Sequence, residues 1–361
     1  MTPPLAKDDL DLILAKTAPL WEEMRGSRLF ITGGTGFFGC WLVESFLAAN
    51  RQFELLAEIT ILTRSPEAFR EKCPHLSGDP ALTLLCGDVS RFEFPPGEYR
   101  YVIHAATEAS AKMIAERPQQ MLATILDGTR RSLDFATTHG TRKYLLTSSG
   151  AVYGEQPPEV SHIAEDFPGA PNPLRASSVY AEGKRAAELM CAVYQAAFPI
   201  ECKIARCFAF VGPHLPLDTH FAVGNFLRDA MQERTILIEG DGTPRRSYMY
   251  AADLAIWLWT MLFVAPSLEA INVGSDQSIS IRALAETIPA AIGSSSQVQI
   301  AKSPQPGAPV RQYVPSIAKA EQKLGLTCSI ALDEALRRTA AWYGYAPLTA
   351  AVQFDRRERE G

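Results

Sequence analysis

The sequence RLFITGGTGFFGCWLVESFL, from Arg28 to Leu47, joins an apolar run to a helical pattern through regularly spaced glycines. Glycines 33, 36 and 39 stand at every third position, where the helix has to begin. A glycine inside a helix costs about 1 kcal/mol relative to alanine, so three in register require another reason. Between a strand and a helix, this spacing is typical of a turn that holds the pyrophosphate of a dinucleotide.

Each glycine of this turn has a physical role in such a site. Gly33 permits the tight turn, Gly36 lets the backbone approach the pyrophosphate, and Gly39 lets the helix pack closely on the strand. The free N–H groups and the positive end of the helix dipole attract the anion. A purely structural turn is the alternative. The predicted cofactor contacts in this turn are Gly33, Thr35, Gly36, Phe37, Phe38 and Gly39.

The pattern that follows the turn predicts the fold class. Up to Val211, short apolar or β-branched runs alternate with amphipathic helical stretches. Such alternation indicates βαβ units and a parallel sheet that is covered on both faces. Beyond Val211 the rhythm changes, and EGDGTPRRSYMY predicts a strand–turn–strand segment before AINVGS returns to the sheet. We therefore predict an α/β, Rossmann-type doubly wound parallel sheet with a smaller, discontinuous C-terminal α/β substrate domain.

These patterns also suggest domain boundaries, with a cleft for the substrate between the two main domains. The N-terminal segment predicts an accessory helix that Asp8 and Asp9 can cap. The predicted units are an N-terminal accessory helix (1–27), a dinucleotide-binding Rossmann domain (28–211 plus 250–277), a substrate domain (212–249 plus 278–346) and a charged tail (347–361).

Composition excludes several classes of function. The net charge of −5 shows no excess of basic residues, so nucleic acid is not an expected partner. The seven cysteines are scattered without a CxxC pair, which predicts a reducing compartment and no metal site. No signal pattern begins the chain, and the apolar stretch Leu254–Pro266 is well short of the ~20 residues of a membrane span. We therefore expect a cytoplasmic protein with no membrane contact.

The choice between NAD and NADP depends on the end of the second strand, ITILTRS. NAD sites usually place an acid there to hold the ribose hydroxyls, whereas this chain has Thr63 and Arg64. A guanidinium suits a 2′-phosphate, so NAD(P) is predicted with a preference for NADP. Alternatively, Arg64 packs over the adenine face.

Two further loops supply predicted cofactor contacts. Asp88, in LLCGDV, follows the third strand and can accept a hydrogen bond from the adenine amine, although it could simply be a turn aspartate. The other contacts predicted along these loops are Val89, Ala105 and Ala106.

A tyrosine and a lysine in SSVYAEGKRAAE form the candidate catalytic pair. Tyr180 and Lys184 are four residues apart, which places both side chains on one face of a helix. A free tyrosine has a pKa near ~10, so it is a poor base unless a nearby cation lowers that pKa. Lys184, together with a positively charged nicotinamide ring, can supply that charge. Upstream, Ser149 ends a predicted parallel strand, and ligands bind at such strand ends.

Taken together, these motifs resemble the extended short-chain dehydrogenase/reductases, the NAD(P)-dependent nucleotide-sugar epimerase/dehydratase family. The resemblance covers the chain from Arg28 to Tyr345. It rests on seven motifs in the family's order: TGGTGFFG, GDV, HAA, TSSGAVYG, YAEGK, GDGTPRRSYMYAADLA and NVGS.

This resemblance implies roles for individual residues. Ser149 and Tyr180 would grip a sugar hydroxyl, Tyr180 would take its proton, and Lys184 would also hold the nicotinamide ribose. Arg246 would clamp the diphosphate of a nucleotide-diphosphate sugar, and Arg311 is a further candidate for its nucleotide end. Either arginine could instead be a surface ion-pair partner. The resemblance also implies a homodimer formed through helices such as 119–138 and 179–197.

The first step implied by the resemblance is oxidation of the sugar C4 hydroxyl. The family's 4,6-dehydratases carry an Asp-Glu pair after the serine or threonine, where this chain has Gly150 and Ala151, so that reaction is disfavoured. UDP-glucuronate decarboxylases have a similar catalytic helix but carry a glutamate where this chain has Ala151. Their β-keto acid can lose carbon dioxide without a dedicated base, so decarboxylation stays open. A 4-epimerase needs the fewest groups and is the preferred prediction; ketosugar reduction and an atypical dehydration follow.

Two further hypotheses concern a loop histidine that could act as an acid and a function that is not enzymatic. His214, in FVGPHLPLD, matches a histidine that protonates the sugar ring in GDP-fucose synthase-like members. Those enzymes pair it with a cysteine where this chain has Ala151, and a histidine bonded to backbone is the alternative. A catalytically silent dinucleotide sensor is the hypothesis from another class, but such proteins typically lose the tyrosine or the lysine.

Overall fold

The computed structural model describes residues 1–107, 111–219 and 221–346, so the predicted charged tail, 347–361, lies outside the described residues. Its α-helices are α1 (Lys7–Thr17), α2 (Phe37–Gln52), α3 (Pro66–Lys72), α4 (Pro74–Ser77), α5 (Ala111–Glu116), α6 (Pro118–Thr138), α7 (Val179–Ala197), α8 (Ala222–Met231), α9 (Ala251–Val264), α10 (Ile281–Ile292), α11 (Ala318–Leu324) and α12 (Leu332–Trp342). Short 3-10 helices span Ala18–Met24, Gly150–Tyr153 and Ala176–Ser178.

The strands form one large sheet and several small ones. They are β1 (Arg28–Thr32), β2 (Glu58–Thr63), β3 (Leu82–Cys86), β4 (Tyr101–His104), β5 (Lys143–Ser149), β6 (Glu201–Cys207), β7 (Phe210–Val211), β8 (Ile236–Ile238), β9 (Arg245–Arg246), β10 (Met249–Tyr250), β11 (Ala270–Val273), β12 (Ile279–Ser280), β13 (Val298–Ile300) and β14 (Gln312–Tyr313).

The central sheet confirms the predicted fold class. In the described part of the chain, seven parallel strands run in the order β11-β6-β5-β4-β1-β2-β3. Within β1, Leu29 and Ile31 belong to the core on the α2 and α9 side, whereas Phe30 belongs to the core on the α6 and α7 side. Both faces are therefore covered. The strand order reverses between β1 and β4, and ligands bind at the carboxyl ends of strands beside such a switch point.

The glycine turn adopts the close-packed geometry that its sequence predicts. Gly33 has a φ of +76°, and a Cβ there would lie 2.6 Å from the carbonyl carbon of Ala105. A Cβ at Gly39 would lie 2.3 Å from the carbonyl oxygen of Gly33. No side chain fits at either position, so the turn, β4 and the first turn of α2 can meet only through glycines.

The segment EGDGTPRRSYMY departs from its predicted strand–turn–strand form. β9 lies between β12 and β14 in a three-stranded sheet, whereas β10 pairs with β7 in parallel, at Met249↔Phe210. The two strands therefore belong to different sheets, because each finds its partner far away in sequence. The predicted return to the central sheet is confirmed, since β11 pairs with β6. The assignment of residues to two domains stays a prediction.

The apolar stretch at 254–266 belongs to a helix of the interior. Every residue of α9 from Ala251 to Phe263 is buried. Among the described residues, no helix has both the length and the apolar character needed to cross a membrane.

The N-terminal helix packs against α2 and α9, but the expected aspartate caps are wrong. Ala6 occupies the N-cap position, with no side-chain cap bond. Asp9 is fully buried on the inner face and accepts hydrogen bonds from the Tyr250 hydroxyl and Arg338 Nη1, both at 2.6 Å. Because the helix begins at Lys7, Asp9 lies inside its first turn and faces the interior. Its carboxylate therefore connects α1 to β10 and α12.

Candidate active site

A cavity of about 600 Å³ opens at the carboxyl ends of β1 to β4. It collects most of the predicted cofactor contacts from four segments of the chain. Its lining includes Gly33, Thr35, Gly36, Arg64, Asp88, Val89, Ala105 and Ala106. The volume is that of an ordinary ligand site. The glycine turn and the ends of the next three strands therefore share one cavity.

Three of the contacts predicted in the glycine turn do not line this cavity. The side chains of Phe37 and Phe38 pack against the apolar core, and the Phe38 ring lies 5.0 Å from that of Phe210. Gly39 is buried against the turn itself. These residues shape the start of α2, because their side-chain positions face inward and not toward the cavity.

Charged groups lie at the end of the cavity beside β2 and β3. Arg64 is exposed and lines this end of the cavity. Asp88 accepts hydrogen bonds from the Ser90 hydroxyl at 2.5 Å and the Ser90 N–H at 3.0 Å, and these bonds lower its pKa. Lys72, which the sequence analysis missed, also lines the cavity and donates to the carbonyl of Thr35 at 3.0 Å. No local motif marks Lys72, because its approach depends on how α3 packs.

The candidate catalytic lysine is fixed from two sides. Lys184 lies on the second turn of α7, is 3% exposed, and donates to Thr107 Oγ1 at 2.9 Å and to the Thr147 carbonyl at 2.7 Å. Its ammonium lies 6.0 Å from the centre of the Tyr180 ring, so the predicted proximity of the pair is observed. Burial lowers the pKa of Lys184 to about 8.

The surroundings of Tyr180 in the protein alone do not make its hydroxyl acidic. Burial raises the pKa of Tyr180 to about 12, and a side-chain hydrogen bond with Ser149 opposes this rise only in part. The expectation that Lys184 together with a positively charged nicotinamide ring makes this phenol acidic stays a prediction. The positive charge of an oxidised nicotinamide, the second cation in that argument, has to supply the difference.

Ser149 connects the catalytic tyrosine to a second tyrosine. It ends β5, and its hydroxyl accepts a hydrogen bond from the Ala151 N–H at 3.2 Å. Tyr313 also makes a side-chain hydrogen bond with Ser149, and its ring lies 4.7 Å from that of Phe208. The sequence analysis missed Tyr313, since only the pairing of β14 with β9 brings it to the site.

The two candidate substrate arginines have different surroundings. Arg246, on β9, has its guanidinium carbon 5.7 Å from the centre of the Tyr313 ring, and its Nη1 donates to the carbonyl of Arg245 at 2.8 Å. Arg246 therefore adjoins the Ser149–Tyr180 pair through Tyr313. Arg311 is exposed, and its backbone carbonyl accepts from the N–H of Arg245 at 2.8 Å. It lies beside the same small sheet but outside the catalytic cluster.

The proposed acid role of His214 is not supported. Its ring lies 4.6 Å from that of Trp342 and, together with the Cys40 and Cys73 thiols, forms a buried group whose candidate ligand atoms are within 4.8 Å of one another. Burial lowers the pKa of His214 to about 3. A histidine that stays neutral near pH 7 has no imidazolium proton to donate, and this ring faces two thiols and not the Ser149–Tyr180 pair.

The chain is similar in sequence to a known family of proteins. The sequence model of the NAD dependent epimerase/dehydratase family matches residues 29–274. UDP-glucuronic acid decarboxylase 3 of Arabidopsis thaliana is 32% identical over 309 residues, covering 86% of each chain. UDP-glucuronic acid decarboxylase 6 of the same plant is 30% identical over 89% of this chain and 92% of its own length.

Solved structures share the fold. The UDP-glucose 4-epimerase of Thermus thermophilus, solved as a complex with NAD, superposes with a TM-score of 0.72 at 25% identity. The match covers 88% of this chain and 99% of that one. The similarity therefore extends through both the dinucleotide cavity and the residues that follow it.

Proposed function

The chain belongs to the NAD-dependent epimerase/dehydratase family of enzymes, and from this premise we propose that it oxidises the C4 hydroxyl of a nucleotide-diphosphate sugar and acts as a 4-epimerase. One observation carries the proposal. Thr107 lines the dinucleotide cavity and accepts a 2.9 Å hydrogen bond from Lys184, whose ammonium lies 6.0 Å from the centre of the Tyr180 ring. Hydride acceptor and proton acceptor would therefore stand on the same side of one sugar carbon.

Each group of the cluster has a distinct task in this step. The Ser149 hydroxyl orients the C4 oxygen, and Tyr180 accepts its proton as the hydride leaves C4. A bound oxidised nicotinamide would supply the hydride acceptor and a positive charge. An ammonium has three donors, and Lys184 uses two on Thr107 and Thr147, so the third can hold a ribose hydroxyl. Lys184 then positions the cofactor beside Tyr180.

The residues after Ser149 favour a reaction with few acid and base groups. Gly150 and Ala151 carry no titratable atom, so removal of a C5 proton and a C6 hydroxyl lacks its usual groups. Epimerisation requires only that the 4-keto sugar turn over before hydride returns. We therefore prefer epimerisation to dehydration.

Decarboxylation of a nucleotide-diphosphate uronate is the second candidate. It is favoured by the relatives that are 30% and 32% identical to this chain, both of which are named as UDP-glucuronic acid decarboxylases. Oxidation at C4 creates a β-keto acid, which loses carbon dioxide without an added base. The same catalytic cluster would thus serve either outcome.

The substrate and cofactor follow from the charges at the two ends of the site. We propose that Arg246 binds the diphosphate of the nucleotide sugar, because it adjoins the Ser149–Tyr180 pair. Arg64 and Lys72 both line the adenine end of the cavity, which supports a preference for the 2′-phosphate of NADP within an NAD(P) site. A bound NAD is recorded for the Thermus epimerase, so cofactor preference has to be measured.

The deciding experiment is NMR of the purified protein with UDP-, GDP-, CDP- and dTDP-sugars, with and without NADPH. A 4-epimer that forms without consumption of reduced cofactor supports the proposal. UDP-glucuronate separates the two candidates, because epimerisation gives UDP-galacturonate whereas decarboxylation gives a UDP-pentose and carbon dioxide. A 4-keto-6-deoxy product would contradict both.

We also propose a homodimer through α6 and α7. These helices pack against each other, and α7 carries two large apolar side chains toward solvent, Leu189 at 65% and Val193 at 58% exposed. They are four residues apart and so lie on one face of the helix. A second copy of this face would cover them.

A further inference from the structure

Three buried side chains from distant parts of the chain meet beside the glycine turn. Cys40 lies in the first turn of α2, Cys73 directly follows α3, and His214 lies in the loop after β7. Their candidate ligand atoms lie within 4.8 Å of one another. Both cysteines are fully buried and His214 is 6% exposed. None of the three belongs to the proposed catalytic cluster.

His214 is the unexplained member of this group. Within the described residues, neither of its buried ring nitrogens has a hydrogen-bond partner. Its φ is +69°, an unusual value for a residue other than glycine. A buried polar group without a partner costs about 1–3 kcal/mol, and a left-handed backbone adds to that cost. The imidazole therefore lies beside two thiols without a hydrogen-bond partner. This arrangement indicates that one of its nitrogens binds something other than a protein side chain.

We propose that Cys40, Cys73 and His214 bind a thiophilic divalent metal ion, with zinc as the best match. Two thiolates and a neutral imidazole are a standard donor set for zinc in a structural site. Tetrahedral coordination needs Zn–S bonds of about 2.3 Å and Zn–N bonds of about 2.0 Å. The three ligand atoms would therefore have to move toward one another by roughly 1 Å.

The surroundings supply the remaining requirements of such a site. Thr2 Oγ1 lies 3.3 Å from the Cys73 sulfur, so this hydroxyl or a water can complete the coordination. Lys72 Nζ lies 3.8 Å from the Cys40 sulfur, where its charge stabilises a thiolate. Two thiolates also neutralise the charge of a divalent ion. The sequence analysis expected no metal site because these ligands come from three separate segments with no spacing motif.

A Cys40–Cys73 disulfide is the competing explanation. A metal ion explains the positions of all three side chains, whereas a disulfide explains only those of the two cysteines. A disulfide would consume both thiols but leave the two nitrogens of His214 buried without partners. A metal ion uses all three side chains. The two states also differ in composition, so they can be distinguished directly.

The location suggests that the metal would brace the dinucleotide turn. Lys72 donates to the Thr35 carbonyl at 3.0 Å, and the Cys40 sulfur lies 3.6 Å from the same oxygen. Thr35 and Lys72 both line the dinucleotide cavity. Metal binding would therefore hold α2, α3 and the loop after β7 together behind the phosphate-binding backbone. This role does not depend on which sugar reaction the enzyme performs.

The test is metal analysis of the full chain, purified under reducing conditions, stripped with a chelator and titrated with Zn²⁺ or Co²⁺. We expect one Zn²⁺ per chain, and with Co²⁺ the thiolate charge-transfer and tetrahedral d–d absorption bands. Cys73→Ser and His214→Ala should weaken binding by more than about 100-fold, the upper end of the loss caused by outer-shell changes alone. Cys191→Ser is the matched control, since Cys191 is also a buried thiol beside another buried cysteine.

Two results would overturn the proposal. One is a folded, reduced wild-type chain that takes up neither ion stoichiometrically. The other is a Cys40–Cys73 disulfide found by peptide mass spectrometry in protein purified without reductant but with Zn²⁺ present throughout. Since a ligand variant could unfold, the wild-type chain supplies a second measurement: bound zinc should protect two thiols from a thiol reagent. Loss of zinc binding in the Cys191→Ser control as well as in the ligand variants would also count against it.

Discussion

Gly150 lies against the tip of the Phe208 ring. A Cβ at position 150 would lie 2.6 Å from Phe208 Cζ and 2.7 Å from both neighbouring ring carbons. Gly150 occupies the position where the dehydratases that this chain resembles carry an acid. Packing against the Phe208 ring therefore leaves no space for an acidic side chain at position 150.

Replacing Gly150 with alanine should destabilise the protein by about 1–3 kcal/mol, because the new methyl group overpacks against Phe208. The measurement is urea unfolding, with Gly78→Ala as the control, since nothing lies within 4 Å of a Cβ at Gly78. Adding Phe208→Ala should reduce the cost of the Gly150 change. If Gly150→Ala lowers the free energy of unfolding equally in the wild type and in Phe208→Ala, the contact with the Phe208 ring is not the cause of the loss.

Replacing Tyr180 with phenylalanine should lower kcat by about 10²–10⁴-fold, the usual contribution of a positioned acid–base group. Dinucleotide affinity should stay within about two-fold, because the aromatic ring remains in place. Tyr194→Phe is the matched control on the same helix, where the Tyr194 hydroxyl donates to Asp134 at 2.5 Å. An unchanged biological effect of the Tyr180 variant would instead favour a non-catalytic sensor.

Replacing Arg64 with alanine should weaken NADP binding by about 10–100-fold and leave NAD binding nearly unchanged, since a hydrogen bond to a charged group contributes about 1.5–3 kcal/mol. Isothermal titration calorimetry measures both affinities. Arg70→Ala is the control, because Arg70 is an exposed arginine of α3 that pairs with Glu67. If the wild-type chain binds NAD more tightly than NADP, the proposed role of Arg64 is wrong.

Acid should destabilise the fold through His104. This side chain is buried, shares hydrogen bonds with Thr32 at 2.8 Å and Thr129 at 3.3 Å, and has its pKa lowered by burial from 6.5 to about 3. As the pH falls below 6.5, the unfolded chain takes up a proton that the folded chain does not. The free energy of unfolding therefore decreases. The loss from this group should reach about 2 kcal/mol at pH 5.

Unfolding measured against pH compares the wild type with His104→Gln. The variant is less stable at neutral pH but should lose stability less steeply between pH 6.5 and 5. His162→Gln, at an exposed histidine, should keep the wild-type slope. Identical slopes for all three proteins would mean that His104 is not neutral in the folded chain.

Replacing Leu189 with glutamate should convert the proposed dimer to a monomer, since it places a charge at the centre of the apolar face of α7. Light scattering after size exclusion gives the mass directly. Val264→Glu is the control, because Val264 is 51% exposed at the end of α9, outside the proposed interface. A wild-type chain that is already monomeric at micromolar concentration would contradict the dimer.

Features with short sequence spacing could be predicted from the sequence. The glycines at 33, 36 and 39 define a turn within seven residues, and the apolar alternation defines strands and helices, because both depend on local backbone geometry. Tyr180 and Lys184 are neighbours for the same reason, since one helical turn separates them.

Only the tertiary structure decided what depends on burial and on strand pairing between distant segments. The approach of Tyr313 to Ser149, the position of Lys72 at the cavity and the turning of His214 toward two cysteines have no local signal. Burial also raises the pKa of Tyr180, an effect that its spacing from Lys184 along the helix does not reveal. Sequence spacing determines which groups share an element, whereas packing determines which elements meet and how much water they exclude. Exclusion of water is the main cause of the pKa shifts of Tyr180, Lys184 and His104.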